Sequence, residues 1–424
     1  MALNQSLQAL QARRPRRTMQ NLEEGQAMML KRNVVASFDE AGWNYGVWGG
    51  PYHAMHQKRG AKYCVYNGRL MAVDQGGDRF EEYWKLRREA CLVDTGERPT
   101  EIAGPDAEAF CNKLFTRNCS TLKPGRAGYG VLLYPDGGIL CDGILMRLAP
   151  DRFWYVQAEG PVYSWFVAHA QGMNVRIRDP RSWVAQVQGP RSMDVLAAAC
   201  DDGMPESFGY FAVARAHFGG QPVLISRTGW TGEVGFEWYT LPEETPVDGE
   251  ALWNHVLEAG SPHGLTVCGL DSMDIRRIEA GILNNVSDMD ETMNPYQAGL
   301  GSIVDMSKPG FIGKAALADA DKGLLLHGLT CEAGEPYIDG EVCSNGQPVG
   351  RVTAAGWSPY LECGTAIVRL ENAGHRSLGS ITVRLRNGTM MPASLVDLPM
   401  YDINKAIPRG LDKSIPTRAD AKPG

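Results

Sequence analysis

The segment SRTGWTGEVGFEWY (residues 226–239) contains residue types suited to hold a flat ligand. Its carboxylate Glu233 can accept two parallel N–H groups in a charge-assisted, bidentate arrangement. The glycines Gly229, Gly232 and Gly235 around it let the backbone come close to a ring. Taken alone, this pattern is more typical of a glycine-rich hairpin with surface glutamates, so its function depends on the rest of the chain.

A second candidate is the pair Cys141-Asp142, which follows a Pro-Asp-Gly-Gly turn in YPDGGILCDGILMRL. A positioned carboxylate such as Asp142 can hold or move a proton at a reacting centre. A cysteine becomes a nucleophile when its surroundings stabilise the thiolate, and nothing near Cys141 in the sequence does so. We therefore interpret Asp142 as a catalytic residue and Cys141 as a small apolar wall residue.

The histidines and cysteines do not form a recognisable metal or redox motif. The spacing of His53 and His56 could bring both onto one helical face, but no nearby Glu or Cys completes a metal site, so we predict no metal. The 10 cysteines contain no C-x-x-C pair. In a chain of this length without a secretion signal, we interpret them as reduced thiols.

The composition is that of an ordinary globular protein, with 424 residues that suffice for two or three domains. A net charge of -7 would repel a phosphate backbone, so we expect no nucleic-acid partner. The basic cluster at residues 13–17 is interpreted as a solvated terminus rather than an anion contact or a targeting signal. No apolar run is long enough to cross a bilayer, and no secretory signal is recognised, so we expect a cytoplasmic protein without membrane contact.

The elements around the candidate residues mix helices and strands without regular βαβ alternation, which predicts an α+β fold with largely antiparallel sheets. Helical patterns occur in FEEYWKLRREACLVD, PDAEAFCNKLF, PRSMDVLAAAC, GEALWNHVLEAG and SMDIRRIEAG. Strands are predicted at PTEIAG, GYGVLLY, GGILCDGILMRL, RFWYVQAE, VAQVQG and QPVLISRT. Residues 135–138 form the turn between two of them, because Pro presets φ and Gly tolerates positive φ.

After about residue 320, short strands separated by glycine turns predict a small all-β domain, a barrel or a sandwich. Within it, Asn345-Gly346 and Asn387-Gly388 are strong hairpin signals. The predicted organisation is an N-terminal extension (1–40), a two-lobed domain (41–318), the β domain (319–402) and a tail (403–424).

Over about residues 83–401, the chain resembles the glycine-cleavage T-protein (aminomethyltransferase) superfamily, and in kind the dimethylsulfoniopropionate demethylase-like methyltransferase branch. The resemblance is carried by GPDAEAF, YPDGGILCDGILMRL, VQGPRSMDVL, SRTGWTGEVGFE, LDSMDIRRIEAGI, DMDETMNPYQAGLG, GFIGKAAL and GQPVGRVTAAGWSP. No single motif is decisive, but their order and spacing are specific. The resemblance implies three lobes around a central funnel, a C-terminal β-barrel and tetrahydrofolate as the cofactor.

The resemblance also assigns roles to individual residues. It implies that Glu233 accepts the N–H groups of the pterin and that Trp230 stacks on the ring or closes the funnel. Arg277 stands where the family has an arginine near the folate, with an ordinary helix salt bridge as the alternative. Because adjacent helical positions face different ways, Arg276 is expected on the surface or paired with Glu279.

Four further positions complete the expected site. Tyr129 stands where family members place an aromatic near the folate, and we count it as catalytic, with core packing as the equal alternative. Because side chains alternate along a strand, Glu237 is expected on the same face as Glu233. It is either a second pterin contact or an ordinary residue of the strand ladder. Arg227 and Gln188 are the remaining expected cofactor-binding residues.

The hairpin departs from the family in a way that bears on the reaction. True aminomethyltransferases carry two adjacent acids where this chain has Cys141-Asp142, and the methyl-transferring relatives also lack the first acid. Methyl transfer from a sulfonium, an ammonium or an activated ether is closer to simple displacement and mainly requires alignment. We therefore predict a tetrahydrofolate-dependent methyltransferase (demethylase) acting on a small S-, N- or O-methylated compound, with aminomethyl transfer as the alternative.

The substrate end of the expected funnel differs as well. Residues 284–288 read NNVSD where relatives have an aromatic followed by Gly-Asn-Asp, which predicts a more polar substrate end. Trp43, Trp48, Tyr63 and Tyr66 could cage a methylated cation, although packing between domains is the stronger alternative for each of them.

The third hypothesis is that the chain is a non-catalytic folate-binding module. Relatives of that kind carry a Lys-Gly-Cys-Tyr motif, whereas the equivalent stretch here, residues 309–314, has no cysteine, which favours an enzyme. The expected partner is the small methylated substrate, and a homodimer is left open.

Overall fold

The structure, a computed structural model, describes residues 34–35, 47–374 and 378–415. Its helices are α1 (His53–Lys58), α2 (Arg79–Arg88), α3 (Ala107–Leu114), α4 (Val162–His169), α5 (Ser192–Ala199), α6 (Gly249–Gly260), α7 (Leu270–Glu279), α8 (Lys314–Ala318) and α9 (Ala406–Arg409). Short 3-10 turns occur at Cys119–Thr121, Ser261–His263 and Gly301–Ile303.

The strands of the first part of the chain are β1 (Val34–Val35), β2 (Lys62–Tyr66), β3 (Arg69–Asp74), β4 (Ala90–Thr95), β5 (Arg98–Ala103), β6 (Arg126–Leu133), β7 (Ile139–Ala149), β8 (Arg152–Gln157), β9 (Arg176–Arg178), β10 (Val184–Gln188), β11 (Val213–Phe218), β12 (Gln221–Ser226), β13 (Gly235–Thr240) and β14 (Leu265–Val267). The barrel strands are β15 (Leu326–Cys331), β16 (Glu341–Ser344), β17 (Gln347–Ser358), β18 (Cys363–Leu370), β19 (Ile381–Arg384) and β20 (Met390–Val396). The basic cluster at residues 13–17, most of the 1–40 extension, Trp43 and the end of the tail lie outside the described residues.

The first lobe is built on a six-stranded sheet in the order β11-β12-β13-β10-β4-β14. Neighbouring strands are antiparallel except for the parallel pair β4–β14. One face of the sheet packs on α5 and α6 around a core that includes Tyr52, Trp238 and Trp253. This packing leaves the other face of the sheet to meet the second lobe.

The second lobe is an antiparallel five-stranded sheet in the order β6-β7-β8-β5-β9, covered by α3 and α4. Its outward residues Met146 and Trp154 pack against Val184, Leu224 and Tyr239 of the first lobe. The two sheets therefore share a small apolar core, and the chain passes between them through only two residues after β4. The sheet β1-β2-β3 is a third, smaller layer.

The C-terminal strands close into a barrel in the order β15-β18-β17-β16-β19-β20, which confirms the predicted β domain as a barrel. Asn345 and Gly346 form the two-residue turn between β16 and β17 with φ of 48° and 78°. Positive φ at both central positions is what a type I′ hairpin requires. The Asn387-Gly388 hairpin is also present, between β19 and β20.

The helix expected in FEEYWKLRREACLVD is wrong in its second half. Asp78 caps α2 by accepting the amides of Phe80 and Glu81, but the helix ends at Arg88. The run from Ala90 is the strand β4, which is buried throughout between β10 and β14. A short, fully buried apolar run cannot be distinguished from a buried helix segment by periodicity alone, which explains the error.

The expectation that every cysteine is a reduced thiol is wrong for one pair. Cys91 on β4 and Cys268, just after the neighbouring strand β14, form a disulfide with a Cα–Cα distance of 5.6 Å. The remaining cysteines are free, and all of them except Cys64 are buried.

His56 has a structural role, because its ring nitrogens lie 2.9 Å from Asp94 Oδ2 and 2.9 Å from the Gln75 amide. In the described ranges, no cluster of three or more His, Cys, Asp or Glu side chains could hold a metal ion. None of the helices there is long and apolar enough to span a membrane.

Candidate functional site

The first-lobe sheet carries polar side chains on the face that meets the second lobe, which we call the inner face. On β10, Gln186 and Gln188 share this face with Val184, and on β13 Glu237 shares it with Tyr239. Gln186 lies directly opposite Glu237 in the antiparallel register. Alternation along each strand places the apolar residues between them in the core on the opposite face.

Glu237 is buried on the inner face, and only one of its two carboxylate oxygens accepts hydrogen bonds from described residues. Thr228 donates its hydroxyl to Oε2 at 2.6 Å, and the Tyr239 hydroxyl donates to the same oxygen. Burial raises the pKa of Glu237, and these two hydroxyl donors oppose that shift. Within the described residues, the hydrogen bonds to the Glu237 carboxylate all end on Oε2, so Oε1 is available to a ligand.

Two further polar groups near Glu237 are unsatisfied. The amide N and O of Gln186 are buried and have no hydrogen-bond partner in the described ranges, and the same holds for Oε2 of Glu97. Glu97 lies in the short connection between β4 and β5. Burial, together with the charge of Glu237, raises the pKa of Glu97 to about 7. Buried polar groups usually have partners, so these unpaired ones make the inner face a candidate binding surface.

Asp142 and Tyr129 face each other on the second lobe, on the neighbouring strands β7 and β6. The Tyr129 hydroxyl donates to Asp142 Oδ2 at 2.5 Å, while Oδ1 is buried without a partner in the described residues. Burial raises the pKa of Asp142 to about 6, and the bond from Tyr129 opposes this shift. Asp142 is therefore mostly ionised at neutral pH, with one free acceptor oxygen.

Cys141 points away from this pair into the apolar core of the second lobe. Burial raises the pKa of its thiol well above the usual range, with the charge of Asp142 adding to the shift. A neutral, buried thiol supports the interpretation of Cys141 as a wall residue rather than a nucleophile.

Two glycines of the 226–239 segment accommodate the side chain of Gln188. A Cβ on Gly229 or Gly235 would lie about 2.1–2.3 Å from the Gln188 amide atoms. That amide donates to Thr228 O at 3.1 Å and accepts the Thr231 hydroxyl at 2.9 Å. These two glycines are therefore required for packing, because only they leave room for the Gln188 side chain that holds the 228–231 loop in place. The sequence did not reveal this role.

Glu233 lies apart from the inner face, in a cluster of charged groups. Its Oε1 is 2.9 Å from Arg87 Nε and 2.8 Å from Arg276 Nε. Glu279 lies in the same cluster, where it accepts the Tyr83 hydroxyl at 2.8 Å. The carboxylate expected to meet the pterin is thus paired with two buried arginines.

The expectation of a surface position for Arg276 is wrong, because its side chain is only 1% exposed. Helix α7 is covered on one side by α2 and on another by barrel strand β17, so two adjacent positions can both be buried. The pairing of Arg276 with Glu279 is present at 3.8 Å, in addition to the closer Glu233.

Arg277 is also buried, on a different side of α7. Its guanidinium pairs with Asp274 at 2.7 Å and with Asp288, and it lies 5.2 Å from the ring centre of Trp230. Asp288 in turn accepts the Thr353 hydroxyl at 2.7 Å. The salt-bridge alternative for Arg277 is therefore present in the structure, and its contact with folate stays a prediction.

Arg227 donates to the carbonyl oxygens of Gly235 and Pro408, and burial lowers its pKa. It lines a cavity of about 50 Å³ together with Glu233, Arg276 and Tyr401. This cavity belongs to the charged cluster.

The three aromatic candidates that the structure describes differ in their surroundings. Trp48 is 65% exposed, and Tyr63 belongs to the core of the small β1-β2-β3 sheet. Tyr66 is half-buried; burial raises the pKa of its phenol well above the usual range, and the charges of Glu97 and Asp142 add to this shift. Of the described candidates, Tyr66 is therefore the one placed beside the inner face.

The sequence reasoning missed Glu97 and Gln186, and it named Tyr66 only as one of four aromatic candidates. The alternation in VAQVQ places Gln186 and Gln188 on one strand face and was a usable signal for the first of them. The ERP stretch around Glu97 carries no periodicity, so nothing in the local sequence marked it.

Residues 52–308 match the GCVT N-terminal domain, and residues 325–402 match the glycine cleavage T-protein C-terminal barrel domain. The chain belongs to the glycine-cleavage T-protein family. This confirms the family resemblance, and the three-lobed fold with its closed barrel agrees with it. The family is folate-dependent, and its members include aminomethyltransferases.

Individual members of the T-protein family match over most of this chain. The trimethylamine-oxide aldolase of Ruegeria pomeroyi is 33% identical over 380 residues, which cover 84% of this chain but 47% of that protein, so the chain spans about half its length. An aminomethyltransferase of Streptomyces coelicolor is 33% identical over 368 residues, covering 83% of this chain and 97% of that protein.

Among solved structures, the glycine cleavage system aminomethyltransferase T from Bartonella henselae matches with a TM-score of 0.74 at 25% identity. The match covers 84% of this chain and 98% of that one. The T-protein fold is therefore shared across all three lobes.

Proposed function

We propose that this T-protein family member transfers a methyl group from a small S-, N- or O-methylated compound to tetrahydrofolate. The observation that carries the proposal is the single acid of the hairpin: Asp142 is hydrogen-bonded to Tyr129, while its neighbour Cys141 is a neutral thiol turned into the core. One ionised carboxylate can take the single proton that the acceptor amine releases on methylation.

The inner face supports tetrahydrofolate as the acceptor substrate. A pterin presents both N–H donors and acceptor atoms, which are the partners that the buried Gln186 amide and the free Oε1 of Glu237 lack. We therefore propose Glu237 and Gln186 as the pterin contacts, in place of Glu233, which is paired with two arginines.

The residues of this chain would act mainly by holding the methyl donor and tetrahydrofolate in the right orientation. Tyr129 holds Asp142 in one orientation across the β6–β7 pair and keeps its pKa lower than burial alone would. Tetrahydrofolate, when bound, supplies the nucleophilic N5 nitrogen. Because a displacement needs the reacting atoms in line, rigid walls on two lobes that share an apolar core are suited to the task.

Aminomethyl transfer is the second candidate, favoured by the 33% identity to an aminomethyltransferase over 97% of its length. The product separates the two reactions. The chain is incubated anaerobically with tetrahydrofolate and, in separate reactions, with a sulfonium, betaine or methoxyaromatic donor or with an aminomethylated lipoyl carrier protein, and the folate product is identified by mass. The proposal expects 5-methyltetrahydrofolate. Formation of 5,10-methylenetetrahydrofolate from the aminomethyl donor, with no 5-methyltetrahydrofolate from any methyl donor, would contradict it.

A further inference from the structure

The Glu97 carboxylate has a buried oxygen, Oε2, and forms no ion pair with any described residue. The arginine next to it, Arg69, donates to the Glu97 carbonyl oxygen at 2.7 Å, and its guanidinium stacks 4.0 Å from the ring centre of Trp183. The following residue, Arg98, turns to Asp179 at 2.8 Å. Both nearby arginines are therefore committed elsewhere, and Oε2 of Glu97 has no partner among the described residues.

The surroundings of Glu97 are anionic and aromatic. Burial and the charge of Glu237 raise the pKa of Glu97, with a further contribution from Asp94, while the Thr95 hydroxyl opposes the shift. Burial raises the pKa of the Tyr66 phenol, and the charges of Glu97 and Asp142 both add to the shift. Its ring packs on the backbone next to Glu97, where a Cβ on Gly96 would be 3.2 Å from the ring.

We propose that Glu97 recognises a positively charged methyl donor, a sulfonium or an ammonium, held beside Tyr66 and Asp142. This inference rests on the proposed methyl transfer and names its donor class. A cation supplies the charge that the unpaired oxygens of Glu97 and Asp142 lack, and the face of Tyr66 attracts it as well. An anionic methoxybenzoate would meet three carboxylates and be repelled.

The charge balance of the reaction fits this site. The C–S or C–N bond breaks with its electron pair on the leaving atom, and a new C–N bond forms from the N5 lone pair of tetrahydrofolate. The N5 proton passes to Asp142. The donor leaves as a neutral thioether or amine, so the attraction to Glu97 ends with the transfer and the product is released.

Affinity for the cation should depend on pH in a defined direction. The groups that face Glu97 are Glu237, Asp94, Tyr66 and the backbone-bound Arg69. Cation binding needs ionised Glu97, whose pKa is about 7. Affinity should therefore rise between pH 6 and 8 and be lost as the carboxyl takes up its proton below that window.

The test is calorimetric titration of the full chain, with tetrahydrofolate present, at pH 6 and pH 8. The cations are tetramethylammonium, trimethylsulfonium and choline, and 3,3-dimethylbutan-1-ol is the uncharged isostere of choline. We expect choline to bind more tightly than the alcohol and more tightly at pH 8. Glu97→Gln should weaken choline binding by at least about 30-fold and remove the pH slope, with alcohol binding unchanged.

Glu258→Gln makes the same chemical change at an exposed position of α6 and serves as the control. Melting temperature and tetrahydrofolate binding verify that each variant is folded. Equal binding of choline and the alcohol, no binding of any cation, or unchanged choline affinity in Glu97→Gln would each overturn the assignment. If 4-methoxybenzoate binds and yields 5-methyltetrahydrofolate while cations do not, the donor class is wrong and methyl transfer stands.

Discussion

Tyr129 donates its phenolic hydrogen to Asp142 at 2.5 Å, across the strand pair that opens the second lobe. The same carboxyl keeps its other oxygen buried and unpaired within the described chain. A carboxylate fixed on one side and free on the other is arranged to receive a proton from a bound substrate.

Removing the Tyr129 hydroxyl should shift the acid limb of the rate profile to higher pH. The bond from Tyr129 lowers the pKa of Asp142, which burial raises to about 6, so Tyr129→Phe should raise it further. A higher pKa means that Asp142 becomes ionised only at higher pH. The measurement is kcat from pH 5 to 9, with Tyr134→Phe, a half-buried tyrosine packed on Trp165, as the control. An unmoved acid limb would exclude the proposed role.

Neutralising Asp142 should slow the reaction without loosening the folate. Asp142→Asn keeps the size of the side chain and removes the proton acceptor, so kcat should fall by about 10²- to 10⁴-fold. The dissociation constant of tetrahydrofolate should stay near that of the unmodified chain. Asp136→Asn, in the turn before the same strand, should be nearly silent. A normal kcat in Asp142→Asn would remove this residue from the chemistry.

Glu237 and Glu233 should give opposite phenotypes. Glu237→Gln removes the acceptor proposed for the pterin and should weaken tetrahydrofolate binding by at least about 30-fold while the melting temperature changes little. Glu233→Gln leaves Glu279 as the remaining carboxylate beside Arg87 and Arg276 and so leaves one buried positive charge uncompensated, which should cost about 3–5 kcal/mol of unfolding free energy. Folate titration and chemical denaturation of both variants measure the contrast. The reverse pattern would restore Glu233 as the pterin residue.

The glycine at position 235 should not tolerate even a methyl group. A Cβ there would lie about 2.3 Å from Gln188, whose amide is locked between Thr228 and Thr231, so Gly235→Ala should lower the unfolding free energy. Gly310→Ala is the matched control, because a Cβ there meets no atom within 4 Å. Equal melting temperatures for the two variants would show that Gln188 can move aside.

The barrel and its hairpins could be predicted because Asn345-Gly346 encodes its turn locally, through two positive φ values. Strand β4 could not be predicted, because its residues form a strand only through their burial between β10 and β14, and their hydrophobic pattern also fits a helix. Asp142 was predicted from the hairpin motif and Tyr129 from the family resemblance, and the structure brings them together. Glu233 and Glu237 are four residues apart in one motif, and only the packing of α2 and α7 places arginines on the first of them.

The division of the candidate site between two sheets has a consequence for how such proteins diversify. Glu237 and Gln186 belong to the first-lobe sheet, while Asp142 and Tyr129 belong to the second-lobe sheet. Substitutions on the second-lobe sheet can therefore change the group that handles the proton, while the first-lobe sheet keeps its proposed pterin contacts. A chimera that exchanges only the second lobe with an aminomethyltransferase would inherit a new hairpin acid on an unchanged Glu237 surface. Such an exchange would change the residues around the transferred group without changing the proposed folate-binding surface.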